Sequence, residues 1–131
     1  MKKKYLITGG LGFIGKAITK SLIEKNNSVI IVDNQFRHKN VQKFYYNDCR
    51  IYKVDIRNKV LLKKVVKNVD VVIHLAAING TNFFYEQPRL VLDVALKGII
   101  NILEICKENK IPEFFLASSS EVYHNAPYYP A

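Results

Sequence analysis

The sequence has no apolar run that approaches the roughly 20 residues a membrane helix needs. The basic start, Met1–Lys4, precedes an apolar stretch that glycines interrupt, and no small-residue cleavage site follows it, so a signal peptide is not indicated. The sequence has only two cysteines, Cys49 and Cys106, with no CxxC pair, which favours free, buried or half-buried thiols. These absences predict a cytoplasmic protein with no membrane span and no metal site.

A dense basic block is also missing, although the formal net charge is +9. Basic residues are scattered through helical stretches, as on a solvated helix face. Lys59, Lys63, Lys64 and Lys67 are an example. No nucleic-acid motif accompanies them. We therefore expect no nucleic-acid partner and attribute the charge to a lysine-rich composition and to anionic small ligands.

Short apolar blocks make up almost half of the 131 residues, which suits one domain with one core. They alternate between β-rich runs and helical patterns, which predicts βαβ units and a parallel sheet. The predicted strands are Lys4–Thr8, Ser28–Val32, Arg50–Val54, Val71–Ala76 and Glu113–Ser118. The predicted helices are Ile14–Lys25, Asn58–Lys67 and Arg89–Asn109, with Gln35–Asp48 irregular.

Right-handed crossovers arrange these strands as a Rossmann-like doubly wound α/β sheet of order 3-2-1-4-5. The complete dinucleotide fold has about six strands. Residues 1–131 are therefore expected to form a doubly wound domain that is truncated before the last strands.

A glycine-rich loop, Thr8–Gly15, lies between the first predicted strand and the first helix. It fits GxGxxG from Gly10 and GxxGxxG from Gly9. Glycine permits positive φ, and the missing side chains let the backbone approach a pyrophosphate. N–H groups at the helix start would then bind the anion. The alternative is a glycine-rich turn with a structural role only.

Two acidic residues end the second and third predicted strands. Asp33 stands at the right distance to accept hydrogen bonds from the adenosine ribose and to repel a 2′-phosphate, which favours NAD over NADP. Basic residues 37–39 follow soon after and would weaken that preference, and Asp33 has the alternative role of a strand-ending cap. Asp55 would lie near the adenine edge, but starting the helix at Asn58 explains it nearly as well.

Several blocks occur in order at the spacing of one family. They are Thr8–Gly15, Asp33-Asn34, Asp55-Ile56, His74–Ala77 and Ser118–Tyr123. Together they resemble the extended short-chain dehydrogenase/reductase family, which contains nucleotide-sugar epimerases, 4,6-dehydratases and decarboxylases. Its members are more than twice as long, so the resemblance is to their N-terminal portion. It implies that residues 1–131 form the NAD(P)-binding Rossmann domain, truncated before the substrate domain.

The resemblance implies NAD as the cofactor, with pyrophosphate on the glycine loop, ribose at Asp33 and adenine beside Asp55-Ile56. Ala76 and Ala77 would border the cofactor by their backbone, and Asn79 would lie in the loop beyond. The implied cofactor-binding residues are Gly9, Gly12, Phe13, Ile14, Gly15, Asp33, Asn34, Asp55, Ile56, Ala76, Ala77 and Asn79.

Two implied catalytic residues stand in the Ser118–Tyr123 block. Ser119 falls on the family's catalytic Ser/Thr, whose hydroxyl bonds the sugar oxygen that is oxidised, and Glu121 falls on an acidic position near the sugar. The alternatives are a strand end whose hydroxyls satisfy loop backbone and a solvated charge. The family's principal base, in Tyr-x-x-x-Lys, is absent from these residues. Ala95 and His124 also replace the family's usual asparagine and glycine.

The resemblance therefore implies the NAD-binding part of an enzyme that transiently oxidises a UDP-, dTDP- or GDP-linked sugar, and we expect the isolated chain to be inactive. A non-catalytic NAD-binding module or sensor is the alternative, because the tyrosine–lysine pair is missing. A protein that keeps only the fold is disfavoured by the intact glycine loop.

The long helix Arg89–Asn109 carries a broad apolar surface. Packing on its own sheet explains most of that surface, and the resemblance implies that the rest forms a homodimer interface. The edge at the fifth strand would lack its next neighbour, which predicts aggregation or oligomerisation of the isolated chain.

Overall fold

The computed structural model describes residues 1–37 and 47–123, except for the side chains of Ser120 and Glu121. The strands are β1 Lys4–Thr8, β2 Ser28–Asp33, β3 Cys49–Lys53, β4 Val71–His74 and β5 Glu113–Leu116. The helices are α1 Phe13–Glu24, α2 Lys59–Val65, α3 Thr81–Glu86 and α4 Pro88–Glu108, and a 3-10 helix spans Ser120–Tyr123.

All neighbouring strands are parallel, and their order is β3-β2-β1-β4-β5. This confirms the predicted fold class. The register pairs Thr8 with Val32 on one side and with His74 on the other. Because the strands are parallel, their carboxyl ends meet at one edge of the sheet.

Alternate residues of each central strand enter the hydrophobic core on opposite faces of the sheet. Leu6 packs in a cluster with Leu62 of α2 and Ile102 of α4, while its neighbour Ile7 packs in a second cluster near Ile18 of α1. Leu6 and Ile7 are both fully buried. The central strands therefore read as continuous apolar runs because both of their faces are covered.

Helix α3 is the main departure from the predicted elements. It begins after Gly80, whose φ is +122°, and contains no buried residue. A short helix without a buried face leaves no apolar periodicity in the sequence, so the pattern could not reveal it. Helix α4 begins at Pro88, where proline suits the first turn because that turn's N–H groups need no intrahelical partner.

Two predicted strands are shorter in the structure, with β4 ending at His74 and β5 at Leu116. Of the predicted irregular segment Gln35–Asp48, residues 38–46 lie outside the described part. Within residues 1–37 and 47–123, no helix is long and apolar enough to cross a membrane.

Candidate functional site

A cavity of about 320 Å³ opens at the carboxyl edge of the sheet. It lies where the connections from β1 and β4 pass to opposite faces, which is the topological switch point that binds ligands in such sheets. The predicted cofactor residues that line it are Gly9, Gly12, Phe13, Asp33, Asn34, Ile56, Ala76 and Ala77. The fold therefore brings together residues from four separate sequence blocks.

The backbone of the glycine loop packs directly against Leu75 and Ala76, which follow β4. Gly9 has φ +69°, and a Cβ there would lie 2.9 Å from the Ala76 backbone. A Cβ on Gly15 would lie 2.6 Å from the Gly10 Cα. A side chain at either position would collide with packed backbone, so the glycines allow the loop to lie closely against the residues after β4 and the helix start to lie closely against the loop.

The start of α1 faces the same cavity. Gly12 is its N-cap, and in the described part of the chain no side chain caps this end. The first turn carries no acidic residue, so its N–H groups and the helix dipole can act on an anionic ligand. Phe13 lines the cavity with its side chain 92% exposed, whereas Ile14 and Gly15 lie in the same turn outside the described lining.

Asp33 ends β2 and connects the strand to the glycine loop. Its Oδ2 accepts a hydrogen bond from the Leu11 N–H at 3.1 Å, and its Oδ1 accepts one from the Gln35 N–H at 2.8 Å. An ionised carboxylate offers about four acceptor positions. Two positions on Asp33 therefore remain for hydroxyl donors, which fits a ribose diol.

Asp55 follows β3 and has a different environment. Its carboxylate accepts from the Arg57 N–H at 2.9 Å, from Arg57 Nε at 2.9 Å, from Arg57 Nη2 at 2.8 Å and from Asn34 Nδ2 at 3.1 Å. The hydrogen bonds from the Arg57 guanidinium lower the pKa of Asp55 to about 2. Among the described residues, Val54 and Ile56 line the cavity on either side of Asp55, which itself is outside the lining.

An aromatic contact closes the side of the cavity next to β2. The rings of Phe36 and Phe83 are 5.8 Å apart, and the Arg37 guanidinium carbon lies 5.4 Å from the Phe83 ring centroid. Both Phe36 and Arg37 line the cavity. Arg37 was expected near the cofactor from its place after Asp33, but Phe36 was not, because its contact depends on α3, which carries no sequence signal. His38 and Lys39 lie outside the described residues.

A buried polar pair supports the floor beneath Ala76. Thr8 Oγ1 and His74 Nδ1 are 2.7 Å apart, and the Ala76 N–H donates to Thr8 Oγ1 at 3.3 Å. Burial lowers the pKa of His74 to about 4, so the imidazole is neutral near pH 7 and its Nδ1 can accept a hydrogen bond from the Thr8 hydroxyl. This network fixes the end of β4 against the glycine loop.

Helix α4 forms the back wall of the cavity. Val94 lines it, and the Asn101 side chain donates to the Ile56 carbonyl at 2.9 Å. A Cβ on Gly98 would lie 2.2 Å from Ile56 Cδ1, so a side chain at this position would force Ile56 to shift. Sequence reasoning missed Val94; the glycine inside a long helical pattern was the available signal.

The predicted catalytic residues lie elsewhere. Ser119 is exposed after β5, and its carbonyl accepts from the Val122 N–H at 3.3 Å. The Glu121 side chain lies outside the described residues. Asn79 is exposed in the loop before α3, and neither it nor Ser119 belongs to the described cavity lining. In the described part, no three His, Cys, Asp or Glu side chains converge as metal ligands do.

Comparison with known sequences identifies a family. Residues 5–130 match the model of the NAD dependent epimerase/dehydratase family. The chain is 36% identical over 124 residues to UDP-N-acetyl-alpha-D-glucosaminuronate decarboxylase of Bacillus cytotoxicus, covering 94% of this chain and 38% of the relative. It is 32% identical to UDP-glucuronate 4-epimerase of Thermodesulfobacterium geofontis, covering 91% and 40%.

Solved structures show the same fold. The UDP-N-acetylglucosamine 4-epimerase of Methanobrevibacter ruminantium, in complex with UDP-N-acetylmuramic acid, superposes with a TM-score of 0.87 at 32% identity, covering 100% of this chain and 43% of that one. The Thermus thermophilus UDP-glucose 4-epimerase, in complex with NAD, superposes with a TM-score of 0.75 at 27% identity, covering 85% and 36%.

The chain thus spans about 40% of the length of the curated relatives it matches. The family match covers nearly all of its residues, and it confirms the resemblance seen in the motifs together with NAD as the predicted cofactor. The chain belongs to the NAD dependent epimerase/dehydratase family.

Proposed function

We propose that NAD binds in the cavity at the carboxyl edge of the sheet. The pyrophosphate lies on Gly9, Gly12 and the first turn of α1, and the adenosine ribose bonds to Asp33. Ala76 and Ala77 border the cofactor by their backbone, and Ile56 packs near the adenine. The observation that carries this assignment is the close approach of the Gly9 and Ala76 backbones beside an uncapped helix start.

Calorimetric titration of the chain with NAD and with NADP tests the site. We expect NAD to bind more tightly, because the Asp33 carboxylate repels a 2′-phosphate. Asp33→Ser should reduce the preference for NAD, while Lys20→Gln on the far, exposed part of α1 should leave it unchanged. A folded chain without NAD affinity would refute the proposed site.

For the whole protein, we propose an epimerase, dehydratase or decarboxylase that acts on a nucleotide sugar by transient oxidation. When bound, NAD would accept the hydride from the sugar. Ser119 would hold the sugar hydroxyl and Glu121 would serve as a nearby acid or base. The names of the relatives, which are enzymes of UDP-linked sugars, support UDP among the predicted UDP, dTDP and GDP carriers.

Turnover of UDP-sugars by the whole protein, followed by the absorbance of reduced cofactor and by chromatography of the products, tests the activity. We expect Ser119→Ala to reduce turnover without changing NAD affinity. NAD binding with no reaction on any UDP-, dTDP- or GDP-sugar would favour the alternative of a non-catalytic NAD-binding module.

We also propose a homodimer through α4. Its outer side exposes an apolar stripe, while its inner side packs on the sheet. The stripe consists of Leu92, Leu96, Ile100 and Leu103, each between 46% and 58% exposed. Light scattering of the complete protein should give a dimeric mass, and Leu96→Lys should give a monomer, with Tyr85→Lys on the exposed side of α3 as the control. A monomeric mass for the unsubstituted complete protein would contradict the interface.

We propose the cytoplasm as the location. Cys49 and Cys106 are both free thiols, and burial raises the pKa of Cys49 to about 11. Unpaired thiols that stay protonated are compatible with a reducing compartment.

A further inference from the structure

An ionic cluster behind the cavity rim is centred on Arg57, which has no role in the assignments above. The Arg57 guanidinium forms a bidentate salt bridge with the Asp55 carboxylate: Nε donates to Oδ1 at 2.9 Å and Nη2 donates to Oδ2 at 2.8 Å. Its Nη1 lies 3.8 Å from the Asp93 carboxylate of α4. The side chains of Asp55 and Arg57 are only 27% and 32% exposed, which strengthens their interaction relative to a fully solvated pair.

The cluster reaches the cavity through Asn34. The Asn34 Nδ2 donates to Asp55 Oδ2 at 3.1 Å, while its Oδ1 accepts from the Phe36 N–H at 3.0 Å. The Asn34 carboxamide is thus held at both ends. Asn34 and Phe36 both line the cavity, so these hydrogen bonds connect Asp55 to this part of the rim.

The acceptor capacity of Asp55 is already used. Arg57 supplies three donors and Asn34 a fourth, which matches the roughly four lone-pair positions of a carboxylate. A further donor would have to share or replace one of these hydrogen bonds. In the described part of the chain, the hydrogen bond from Asn34 links Asp55 to the cavity lining.

We propose that Arg57 is a positioning residue for the adenosine side of the cofactor cavity. It fixes Asp55, which orients Asn34 and the turn that carries Phe36. The inference rests on the proposed binding of NAD in this cavity. The simpler possibility is that Arg57 only joins the loop after β3 to α4 and affects stability alone.

A double-mutant cycle separates the two roles. The free energies of NAD and ADP-ribose binding are measured by calorimetry for the unsubstituted chain, Arg57→Gln, Asn34→Ala and the double variant. We expect each single substitution to weaken both ligands about tenfold, since each disturbs one charge-assisted network. The double variant should also be weakened about tenfold, not a hundredfold, because the two residues act in series.

Arg50→Gln is the matched control, since Arg50 is an exposed arginine on β3. It should bind both ligands within about twofold of the unsubstituted chain. Arg57→Lys keeps the charge but loses the forked geometry, so it should recover only part of the affinity. If Arg57→Gln does not fold, the same cycle is run with Arg57→Lys.

Three results would overturn the inference. The first is that Arg57→Gln and Arg57→Lys are both folded and bind NAD and ADP-ribose as tightly as the unsubstituted chain does. The second is that the fold-losses of affinity from the Arg57 and Asn34 substitutions multiply in the double variant, which would show that the two residues act independently. An unsubstituted, folded chain that binds neither ligand would overturn the proposed cofactor site along with it, whereas the first two results leave that site intact.

Discussion

The ends of β2 and β3 begin with the same local structure and then diverge. Asp33 and Asp55 each accept a hydrogen bond from the N–H two residues later, at 2.8 Å and 2.9 Å. Asp33 then bonds the glycine loop and keeps free acceptor positions, while Asp55 is filled by Arg57 and Asn34. Identical turn chemistry thus gives one carboxylate suited to a ligand and another suited to positioning, and the neighbouring elements decide between them.

The largest effect should come from removing the carboxylate that faces the cavity. We expect Asp33→Ala to lower NAD affinity about a hundredfold, since two charge-assisted hydrogen bonds and the tie to Leu11 are lost. Asp48→Ala, at an exposed surface ion pair with Lys2, should change the affinity little. A greater loss of NAD affinity from removing Asp55 than from removing Asp33 would reverse the comparison.

The segment after β3 depends on its packing against α4, where Ile56 meets Gly98. Gly98→Ala would place a Cβ 2.2 Å from Ile56 Cδ1. We expect it to lower the free energy of unfolding by about 1–3 kcal/mol, measured by denaturant titration. Adding Ile56→Val removes the opposing methyl group and should restore most of the stability. Equal stability of Gly98→Ala and the unsubstituted chain would contradict the close approach.

His74 ends a third strand, β4, and titrates in its own pH range. The pKa of His74 is lowered to about 4 in the folded chain, against an ordinary value of 6.5. The unfolded chain therefore binds more protons between these values, so the free energy of unfolding should fall as pH drops from about 6.5 towards 4, by about 2 kcal/mol at pH 5.

His74→Asn checks this assignment, because the asparagine carboxamide can still accept a hydrogen bond from the Thr8 hydroxyl but does not titrate. Its stability should be flat across the same interval in denaturant titrations at several pH values. A slope that persists in His74→Asn would assign the titration to another group.

The smallest effect should come from the filled carboxylate. Because the pKa of Asp55 is lowered from 3.8 to about 2, its contribution to stability is complete above about pH 4 and is lost as pH falls towards 2. We expect Asp55→Asn to cost about 1 kcal/mol at pH 7, with the difference from the unsubstituted chain closing below pH 4. A constant difference down to pH 2 would refute the pairing with Arg57.

The β-rich half of the fold followed directly from the sequence pattern. The limits of β1 and the strand order were predicted because central parallel strands are continuously apolar and crossovers have one hand. Helix α3 was not predicted because it buries no residue. The contact between Phe36 and Phe83 was invisible for the same reason, since it joins segments that share no local pattern.

The sequence by itself determined the glycine loop, the two strand-ending aspartates and the parallel sheet, because backbone freedom, turn formation and burial are imposed residue by residue. It could not distinguish the roles of Asp33 and Asp55, which have the same local setting. Only the tertiary structure decided this, by bringing Leu11 to one carboxylate and Asn34 to the other. Hydrogen-bond saturation is a property of groups that meet in space, so it cannot be read from spacing along the chain.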